Sequence, residues 1–373
     1  MRYLYENIKK DIAKKMVFIS GPRQVGKTFL SKELLRQFDS DQYFNWDRTE
    51  HRTIILKSGW NRNKQLVVLD EIHKYKNWKS WLKGIYDTEK RPPNFVVTGS
   101  AMLDVFRRGG DSLLGRHYTY RLHPFSLNEL VKFKHMTPGE ALDMLFARGG
   151  FPEPLFGDTV DADRWRKERL SLVLRNDMLS LENVRNLGDV ELLVDLLRER
   201  VGSTFTYQSL ARILSVSPQT VKSWIELLER MYVVFTVAPF HRSLKKAIKK
   251  ERKIFFWDYS DVINEGARFE NLVASHLLKY VHFMEDTKGQ NIKLWTLRDK
   301  LKREVDFCIT VNNKPVHLIE VKLSDTAVSG GIEYYGRIWP EARATWVVKQ
   351  QIVSGQYGKV VLCGAGEFLG ELV

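Results

Sequence analysis

The sequence is poor in cysteine and has no long apolar run. Its two cysteines, Cys308 and Cys363, exclude a disulfide framework of the kind found in small secreted proteins and fit a reducing cytoplasm. Neither stands in a metal-ligand spacing. No apolar run approaches the roughly 18 residues that a membrane-spanning helix needs, and the first residues, MRYLYENIKKDIAKK, have no signal-peptide core. We therefore expect a soluble cytoplasmic protein that has no membrane as partner.

Acidic residues are fewer than basic ones. The 59 Lys and Arg residues exceed the 45 Asp and Glu residues, which gives a net charge of +14 and a pI near 9.5. Such an excess favours a polyanionic partner, nucleic acid first and an anionic membrane surface second. A basic proteome in the source organism would explain the same excess. With 373 residues, the chain is long enough for two or three domains, each with its own core.

A phosphate-binding loop follows the first apolar run. Met16 to Ile19 read as a buried strand, GPRQVGKT follows at residues 21–28, and a helical pattern comes next. This is a complete G-x-x-x-x-G-K-[ST] motif, whose glycines let backbone N–H groups surround phosphate oxygens at a helix N-terminus. Lys27 is expected to reach the β- and γ-phosphates, and Thr28 to ligate Mg²⁺. The residues predicted to bind the nucleotide are Gly21, Pro22, Arg23, Gln24, Val25, Gly26, Lys27, Thr28 and Phe29.

Two further apolar strands end in polar residues. QLVVLDE closes on Asp70 and Glu71, which is a Walker B pattern. Asp70 is expected to hold Mg²⁺, and Glu71 to orient and deprotonate the attacking water. FVVTGS closes on Ser100, and a parallel sheet would place its end beside the first two strands. Ser100 or Thr98 is then expected to contact the γ-phosphate or the water, although a simple strand-to-turn transition explains the same residues.

Three arginines follow these strands, and each is a candidate for neutralising charge in the transition state. They are Arg107, Arg108 and Arg116, acting within their own subunit or on a neighbouring one. The alternation of strands and helices predicts a doubly wound α/β fold with a parallel sheet over residues 1–135.

Four segments in a fixed order resemble a known family. GPRQVGKT, LDEIHKYKNWKSWLK, VVTGSAML and LLGRHYTYRLHPFSLNEL are similar to the AAA-type ATPase domain of a prokaryotic family, in which this domain is fused to a C-terminal region of the DUF4143 type. The resemblance runs over essentially the whole chain. It implies ATP as the nucleotide, Ser100 as the sensor residue and Arg116 as the favoured arginine. It also implies a homo-oligomer, because such ATPases usually place the active site between subunits.

The middle of the chain predicts helices. Residues 136–187 are expected to form a helical lid or linker, and residues 188–240 a winged helix-turn-helix, whose longer helix is capped by Ser217 with a proline at its first position. Glu226 and Glu229 on the same helix leave open a lid or protein-binding role. The residues expected to contact DNA are Arg212, Gln219, Thr220, Lys222 and Ser223.

A basic stretch separates this module from the rest of the chain. RSLKKAIKKERK, residues 242–253, contains seven basic residues and one acid. Such a stretch can follow a phosphate backbone and release counterions, or it can be a solvated linker. In either case it marks a plausible domain boundary.

Residues 250–373 are expected to form a mixed α/β restriction-endonuclease-like domain. Two strands, EVDFCIT and VHLIEVK, supply the pattern Asp306 … Glu320-x-Lys322, and the period of a strand puts Glu320 and Lys322 on one face beside Asp306. Both carboxylates, with Glu270 from a preceding helix, are expected to hold Mg²⁺. Lys322 is expected to lower the pKa of the attacking water or to stabilise the phosphorane. The family's C-terminal region is similar to such nucleases here, whereas a hairpin with a Glu320–Lys322 salt bridge is the alternative.

Taken together, these patterns predict an oligomeric ATPase that acts on DNA, with ATP and Mg²⁺ as cofactors. ATP turnover is expected to drive DNA binding, remodelling or cleavage. One alternative is an ATP-dependent switch or scaffold for protein partners, in which the nuclease-like domain is inactive. Another is a nuclease that the ATPase domain regulates.

Overall fold

The computed structural model describes residues 1–89, 93–99, 113–178, 187–241, 251–324, 330–350 and 355–373. Contacts within the chain divide it into two units, Met1–Pro124 and Phe125–Val373. Across the described ranges, no helix combines the length and the apolar character that crossing a membrane would require.

A parallel sheet forms the centre of the first unit. Its strands have the order β2-β3-β4-β1-β5, so β4 separates β1 from β3. Both β1 and β3 are buried along their whole length, which explains why each reads as an unbroken apolar run. The last strand lies in HYTYR, which was not predicted as a strand. The bounds are β1 Met16–Ser20, β2 Tyr43–Asn45, β3 Leu66–Asp70, β4 Asn94–Thr98 and β5 His117–Arg121.

Helices follow the strands of the first unit. Aromatic and aliphatic side chains from the sheet and its helices share one core, which includes Phe18, Leu69, Trp78 and Leu82. Within the described residues, the helices are α1 Tyr5–Ile12, α2 Lys27–Gln37, α3 Thr49–Leu56 and α4 Trp78–Thr88, with a 3₁₀ turn at Ile72–Lys74.

The second unit begins with helices. The predicted cap at Ser217 is present before the helix that begins at Pro218, and Thr137 caps the helix that begins at Pro138; each accepts a backbone N–H with its hydroxyl. The bounds are α5 Leu127–Lys134, α6 Pro138–Arg148, α7 Pro152–Phe156, α8 Thr159–Leu172, a π-helical turn Val173–Met178, α9 Leu187–Arg198, α10 Tyr207–Leu214 and α11 Pro218–Arg230.

Helix α5 belongs to the second unit, although residues up to 135 were expected in the first. Its start is held by side chains of a later helix, α12 (Glu265–Lys288). The Nζ atom of Lys279 donates to Ser126 Oγ at 2.9 Å and forms a fully buried ion pair with Glu129. His276 Nε2 accepts the backbone N–H of Leu127 at 3.0 Å. Separating these groups would leave buried charges unpaired, which explains the position of the boundary.

Three short strands between α9 and residue 257 form a small antiparallel sheet. Its strands are β6 Thr204–Phe205, β7 Val234–Val237 and β8 Arg252–Phe256, in the order β6-β8-β7. Strand β8 was expected to open the C-terminal domain at residue 250, yet its backbone bonds join it to β6 and β7. The sequence of β8 shows a buried strand but not the neighbours with which it pairs.

A six-stranded mixed sheet forms the C-terminal part of the second unit. Its order is β13-β14-β12-β11-β10-β9, with β9 to β11 antiparallel and β11, β12 and β14 parallel. After residue 330, β13 and two helices were not predicted. The bounds are β9 Ile292–Arg298, β10 Glu304–Val311, β11 Lys314–Lys322, α13 Gly330–Ile338, β12 Arg343–Val348, β13 Gly355–Tyr357, β14 Val360–Gly364 and α14 Ala365–Gly370.

We expect Gly331→Ala to destabilise this sheet, because α13 lies against β10 at that point. A Cβ at residue 331 would overlap the backbone carbonyl oxygen of Glu304, which cannot turn aside as a side chain can. The free energy of unfolding should fall by about 2 kcal/mol in urea denaturation. Gly336→Ala in the same helix is the control, since nothing lies within 4 Å of its Cβ position. Equal stability of both variants would contradict the close approach.

Candidate functional site

The phosphate loop joins β1 to α2 through an unusual backbone. Gly21, Gln24 and Gly26 have φ values of +145°, +61° and +99°. Residues with a Cβ rarely adopt positive φ values, whereas glycine adopts them readily. A Cβ at Gly21 would also overlap the carbonyl oxygen of Leu122, just after β5. The first glycine of the motif is therefore needed both for the turn and for packing against the neighbouring chain segment.

Lys27 begins α2, and its ammonium group is turned into the loop. Nζ donates to the carbonyl oxygens of Gly21 at 2.8 Å and Pro22 at 2.6 Å, and the side chain is buried. The N-terminus of a helix attracts anions through its free N–H groups and its dipole. An ammonium group held here is placed to transfer its hydrogen bonds to a phosphate that enters the loop.

The carboxylate of Asp70, at the end of β3, receives hydrogen bonds from several neighbouring elements. Its Oδ2 accepts from Thr28 Oγ1 at 3.3 Å and from Asn45 Nδ2 at 3.4 Å. The Tyr43 hydroxyl donates to the same oxygen, and the Thr98 hydroxyl donates to Oδ1. This follows from the strand order, because β4 lies next to β3 and pairs Thr98 with Asp70.

Thr28 and Asp70 fit a magnesium ion. A hydroxyl and a carboxylate are oxygen ligands of the kind that Mg²⁺ takes together with substrate phosphates. Their oxygens already lie 3.3 Å apart, next to the phosphate loop. Burial, followed by the hydrogen bond to Asp70, raises the pKa of Tyr43 to about 12, so the phenol remains a donor to this carboxylate.

Glu71 follows Asp70 with a left-handed backbone and φ of +57°. Its N–H donates to the carbonyl oxygen of Thr98 at 3.0 Å, which fixes it beside β4. Its Oε2 is 3.5 Å from Lys74 Nζ and 3.6 Å from His73 Nε2, and it accepts no hydrogen bond from the residues that the structure describes. Burial raises the pKa of Glu71 and lowers that of His73 to about 4, which leaves the imidazole neutral. A buried carboxylate with acceptor capacity left is suited to holding a water molecule.

Three of the predicted site residues, Ser100, Arg107 and Arg108, lie outside the described residues. Thr98, the alternative to Ser100, is fully buried and contacts Asp70. That contact places the Thr98 hydroxyl on the strand between β1, which leads into the phosphate loop, and β3, which ends at Asp70.

Arg116 lies at the wrong edge of the sheet to act on its own phosphate loop. β1 begins at Met16 opposite His117 and ends at Ser20 opposite Arg121, and the loop follows Ser20. Arg116 is therefore separated from the loop by the length of β1, roughly 15 Å at 3.3 Å per residue. Of the two alternatives left open, this position disfavours action within its own subunit, because the residue precedes β5 rather than following it.

The motifs did not indicate Arg2, which hydrogen-bonds to the backbone of the phosphate loop. Its buried guanidinium donates from Nη1 to the Val25 carbonyl oxygen at 2.7 Å, and from Nη2 to the carbonyl oxygen of His123. Tyr3 adds a hydrogen bond to the Arg121 carbonyl oxygen at 2.7 Å. Together they tie the loop to the segment after β5. A single arginine outside any motif carries no sequence signal of such a role.

The residues predicted to contact DNA lie on α10 and α11. Ser217 accepts the backbone N–H of Thr220 at 3.0 Å, so the predicted start of the longer helix is confirmed. Lys222 is exposed, and its Nζ lies 3.8 Å from Glu226 Oε1 on the next turn. The side chains with access to solvent are Arg212, Gln219 and Lys222, which are exposed, and Thr220 and Ser223, which are partly exposed.

Lys253 on β8 brings acidic residues of the C-terminal part together. Its side chain is almost fully buried, and Nζ lies 2.6 Å from Glu304 Oε1, 3.0 Å from Glu270 Oε1 and 3.1 Å from Asp306 Oδ1. The second oxygen of Asp306 accepts the backbone N–H of Val321 at 2.9 Å. Lys253 and Glu304 were missed as site residues, because the lysine ends a basic stretch that is typical of a linker.

Glu320 and Lys322 pair with each other at 3.0 Å, on one face of β11 as predicted. Burial and the charge of Asp306 raise the pKa of Glu270, against the effect of Lys253. Burial lowers the pKa of Lys322, but the charges of Asp306 and Glu320 raise it, and the net effect is a raised pKa. Within the described ranges, no three His, Cys, Asp or Glu side chains are arranged to hold a metal ion. The Mg²⁺ centre expected here does not fit this structure, because an ammonium group lies where two of its carboxylates converge.

Three family models match consecutive parts of the chain. Residues 13–131 match an AAA domain, residues 139–261 the domain of unknown function DUF8612, and residues 265–352 the domain of unknown function DUF4143. The first match supports an AAA-type ATPase domain in the N-terminal part. The change from the second model to the third falls between β8 and α12, in agreement with the pairing of β8.

Relatives match long parts of the chain at low identity. An uncharacterised protein of Mycobacterium tuberculosis is 25% identical over 249 residues, which are 65% of this chain and 54% of that protein. The chain thus spans about half the length of this relative. An uncharacterised protein of Methanocaldococcus jannaschii is 21% identical over 347 residues, 77% of this chain and 71% of its own. Among solved structures, the match to a RuvB variant of Thermotoga maritima covers 62% of this chain and 85% of that protein, with 15% identity and a TM-score of 0.31.

Replacing Arg2 with methionine should weaken nucleotide binding without removing a group that touches the nucleotide. The loop would lose its bond from Arg2 to Val25 and would have to be ordered on binding. We expect the Kd for ATP to rise about tenfold, equivalent to about 1.4 kcal/mol, with KM changed more than kcat. Arg36→Met, an exposed residue of α2, is the control for a fluorescence titration. A lower melting temperature with an unchanged Kd would limit Arg2 to a role in stability.

Proposed function

We propose that this protein is an AAA-type ATPase that couples ATP binding and hydrolysis to the binding of DNA. The observation that carries the proposal is the meeting of the phosphate loop with Asp70 and Glu71 at one edge of a parallel sheet. The match of residues 13–131 to an AAA domain supports ATP as the nucleotide. The DNA part is supported by the basic charge of the chain and by the helices of the second unit.

Each site residue has a separate role in the proposed hydrolysis. Loop amides and Lys27 bind the β- and γ-phosphates, while Thr28 and Asp70 would hold Mg²⁺, which neutralises charge on the phosphate oxygens when bound. Glu71 orients a water molecule and takes its proton as the water oxygen bonds to the γ-phosphorus. The bond from that phosphorus to the bridging oxygen breaks, which releases ADP and phosphate. Thr98 keeps the Asp70 carboxylate beside Thr28.

Glu71→Gln should separate hydrolysis from binding. Glutamine keeps the shape of the side chain but takes no proton, so we expect ATP turnover to fall by about 10² to 10⁴ with the Kd for ATP nearly unchanged. Lys27→Ala should instead lose nucleotide binding. Glu33→Gln, at an ion pair on the surface of α2, is the matched carboxylate control. If Glu71→Gln hydrolyses ATP at the wild-type rate, Glu71 is not the base.

The order of elements from α9 to β8 supports a winged helix-turn-helix. A helix, a short strand, two further helices and two more strands follow in sequence, and the strands pair antiparallel in the order β6-β8-β7. In such a module the second helix of the pair enters the major groove with its N-terminal turn. That helix is α11, and its first turns expose Gln219 and Lys222.

The acidic residues on α11 are engaged within this module. Glu229 Oε1 accepts from the backbone N–H of Thr236 at 3.0 Å and from its hydroxyl at 2.5 Å, and burial raises its pKa. Glu226 lies near Lys222 on the exposed face. Since Glu229 is directed to β7, the exposed face carries less negative charge than its sequence suggests, which favours a nucleic acid as partner.

Lys222→Ala should weaken DNA binding to a similar degree for all DNA sequences. A lysine that contacts a phosphate adds a non-specific, salt-dependent contribution, so its loss should reduce the slope of log K against log salt by about 1. Arg230→Ala, near the C-terminal end of the same helix, removes the same charge away from the proposed contact. Fluorescence anisotropy with a labelled duplex at several salt concentrations measures both. Equal effects of the two variants would contradict docking by the N-terminal turn.

A second candidate function is an ATP-dependent switch or scaffold for protein partners. The position of Lys253 among the acidic residues favours it, because this arrangement leaves cleavage by Asp306, Glu320 and Lys322 without support. ATP turnover measured at low salt with duplex, branched and single-stranded DNA separates the candidates. If none of these binds or stimulates turnover, the protein-partner candidate replaces the DNA proposal.

A homo-oligomer is part of the proposal. Arg116 cannot reach the nucleotide of its own subunit, so its proposed target is the nucleotide of a neighbouring one. In the single chain its guanidinium pairs with Asp87, with Nε 2.8 Å from Oδ1. Assembly would have to exchange this ion pair for the phosphate.

A further inference from the structure

A buried lysine links the two sheets of the second unit. Lys253 comes from β8 of the three-stranded sheet, while Glu304 and Asp306 come from β10 of the six-stranded sheet and Glu270 from α12. Only 3% of the Lys253 surface is exposed. The ammonium group lies 2.6 to 3.1 Å from one oxygen of each carboxylate.

The backbone around Lys253 is fixed from both sides. On β8 it pairs with Val237 of β7 and with Thr204 of β6. Three residues later, the Asn271 side chain of α12 accepts from the Phe256 N–H at 2.7 Å and donates to the Phe256 carbonyl oxygen at 2.8 Å. The backbone of Lys253 is therefore fixed by the pairing of β8, and its side chain reaches the acidic residues from a fixed position.

Gly202 leaves room for the Glu270 carboxylate. Its φ is +72°, and a Cβ there would lie 2.5 Å from Glu270 Oε2. The Gly202 N–H donates to the Ile254 carbonyl oxygen at 3.2 Å, next to Lys253 on β8. The carboxylate is thus confined between backbone on one side and the ammonium group on the other.

The distances suit an ammonium ion and not a metal. Lysine has three N–H donors, and one oxygen of each of the three carboxylates lies within hydrogen-bond distance of Nζ. Mg²⁺ in the same place would need oxygens at about 2.0–2.1 Å. Moving the ammonium group aside would leave a buried cation without the carboxylates that compensate it.

We infer that Lys253 is the resident cation of the acidic cluster formed by Glu270, Glu304 and Asp306, and that the carboxylates predicted as metal ligands, Glu270, Asp306 and Glu320, hold no divalent metal. These ion pairs instead fix the three-stranded sheet, and with it α11, to the six-stranded sheet. This inference depends neither on ATP hydrolysis nor on DNA binding, so its failure and theirs are distinguishable.

The first test measures metal binding by the full chain without nucleotide. After treatment with EDTA and dialysis, Mn²⁺ is titrated into the wild-type protein and into Asp306→Asn, and the free ion is counted by electron paramagnetic resonance. We expect the same number of bound ions and the same affinity, because any Mn²⁺ at the phosphate loop is common to both. Loss of one bound Mn²⁺ in Asp306→Asn would overturn the inference.

The second test removes the ammonium group. We expect Lys253→Met to have a lower melting temperature in EDTA, to gain one bound Mn²⁺ relative to the wild type, and to recover part of the lost stability with that ion. Lys314→Met, an exposed residue of β11, should match the wild type in both measurements. If Lys253→Met equals the wild type in melting temperature and in Mn²⁺ binding, the lysine is not the cation of this cluster.

Discussion

The hydrogen bonds that converge on Asp70 are the interaction on which the nucleotide site depends. Parallel strands bring their carboxyl ends to one edge of a sheet, but β4 separates the strand of the phosphate loop from that of Asp70. Thr98 at the end of β4 fills this gap and donates to the carboxylate, while Thr28 approaches it from α2. Because a buried carboxylate without partners is costly, the same bonds stabilise the sheet and align the site.

Buried cationic side chains connect separate elements within each unit. Arg2 ties the phosphate loop to the segment after β5, Lys279 ties α5 to α12, and Lys253 ties the small sheet to the large one. Each comes from a part of the chain remote from its partners. Such a cation stabilises the observed arrangement of elements, because a charge that stays buried after losing its partners is costly.

The two acidic sites differ in the cation for which they are built. Beside the phosphate loop, Thr28 and Asp70 present neighbouring oxygens that we propose as ligands of Mg²⁺. Among the C-terminal strands, Lys253 supplies the positive charge from within the fold. We therefore propose that the hydrolytic chemistry belongs to the first unit and that the C-terminal carboxylates have a structural role, in which they fix Lys253.

By itself, the sequence determined the features that depend on neighbouring residues. The loop at residues 21–28, the cap at Ser217 and the shared face of Glu320 and Lys322 follow from local backbone geometry and strand period. Only the tertiary structure decided that Arg116 lies away from its own loop, that β8 joins the small sheet and that Lys253 occupies the acidic cluster. These depend on strand pairing and on buried charges between remote segments, and pairing energies between distant residues leave no periodic pattern in the chain.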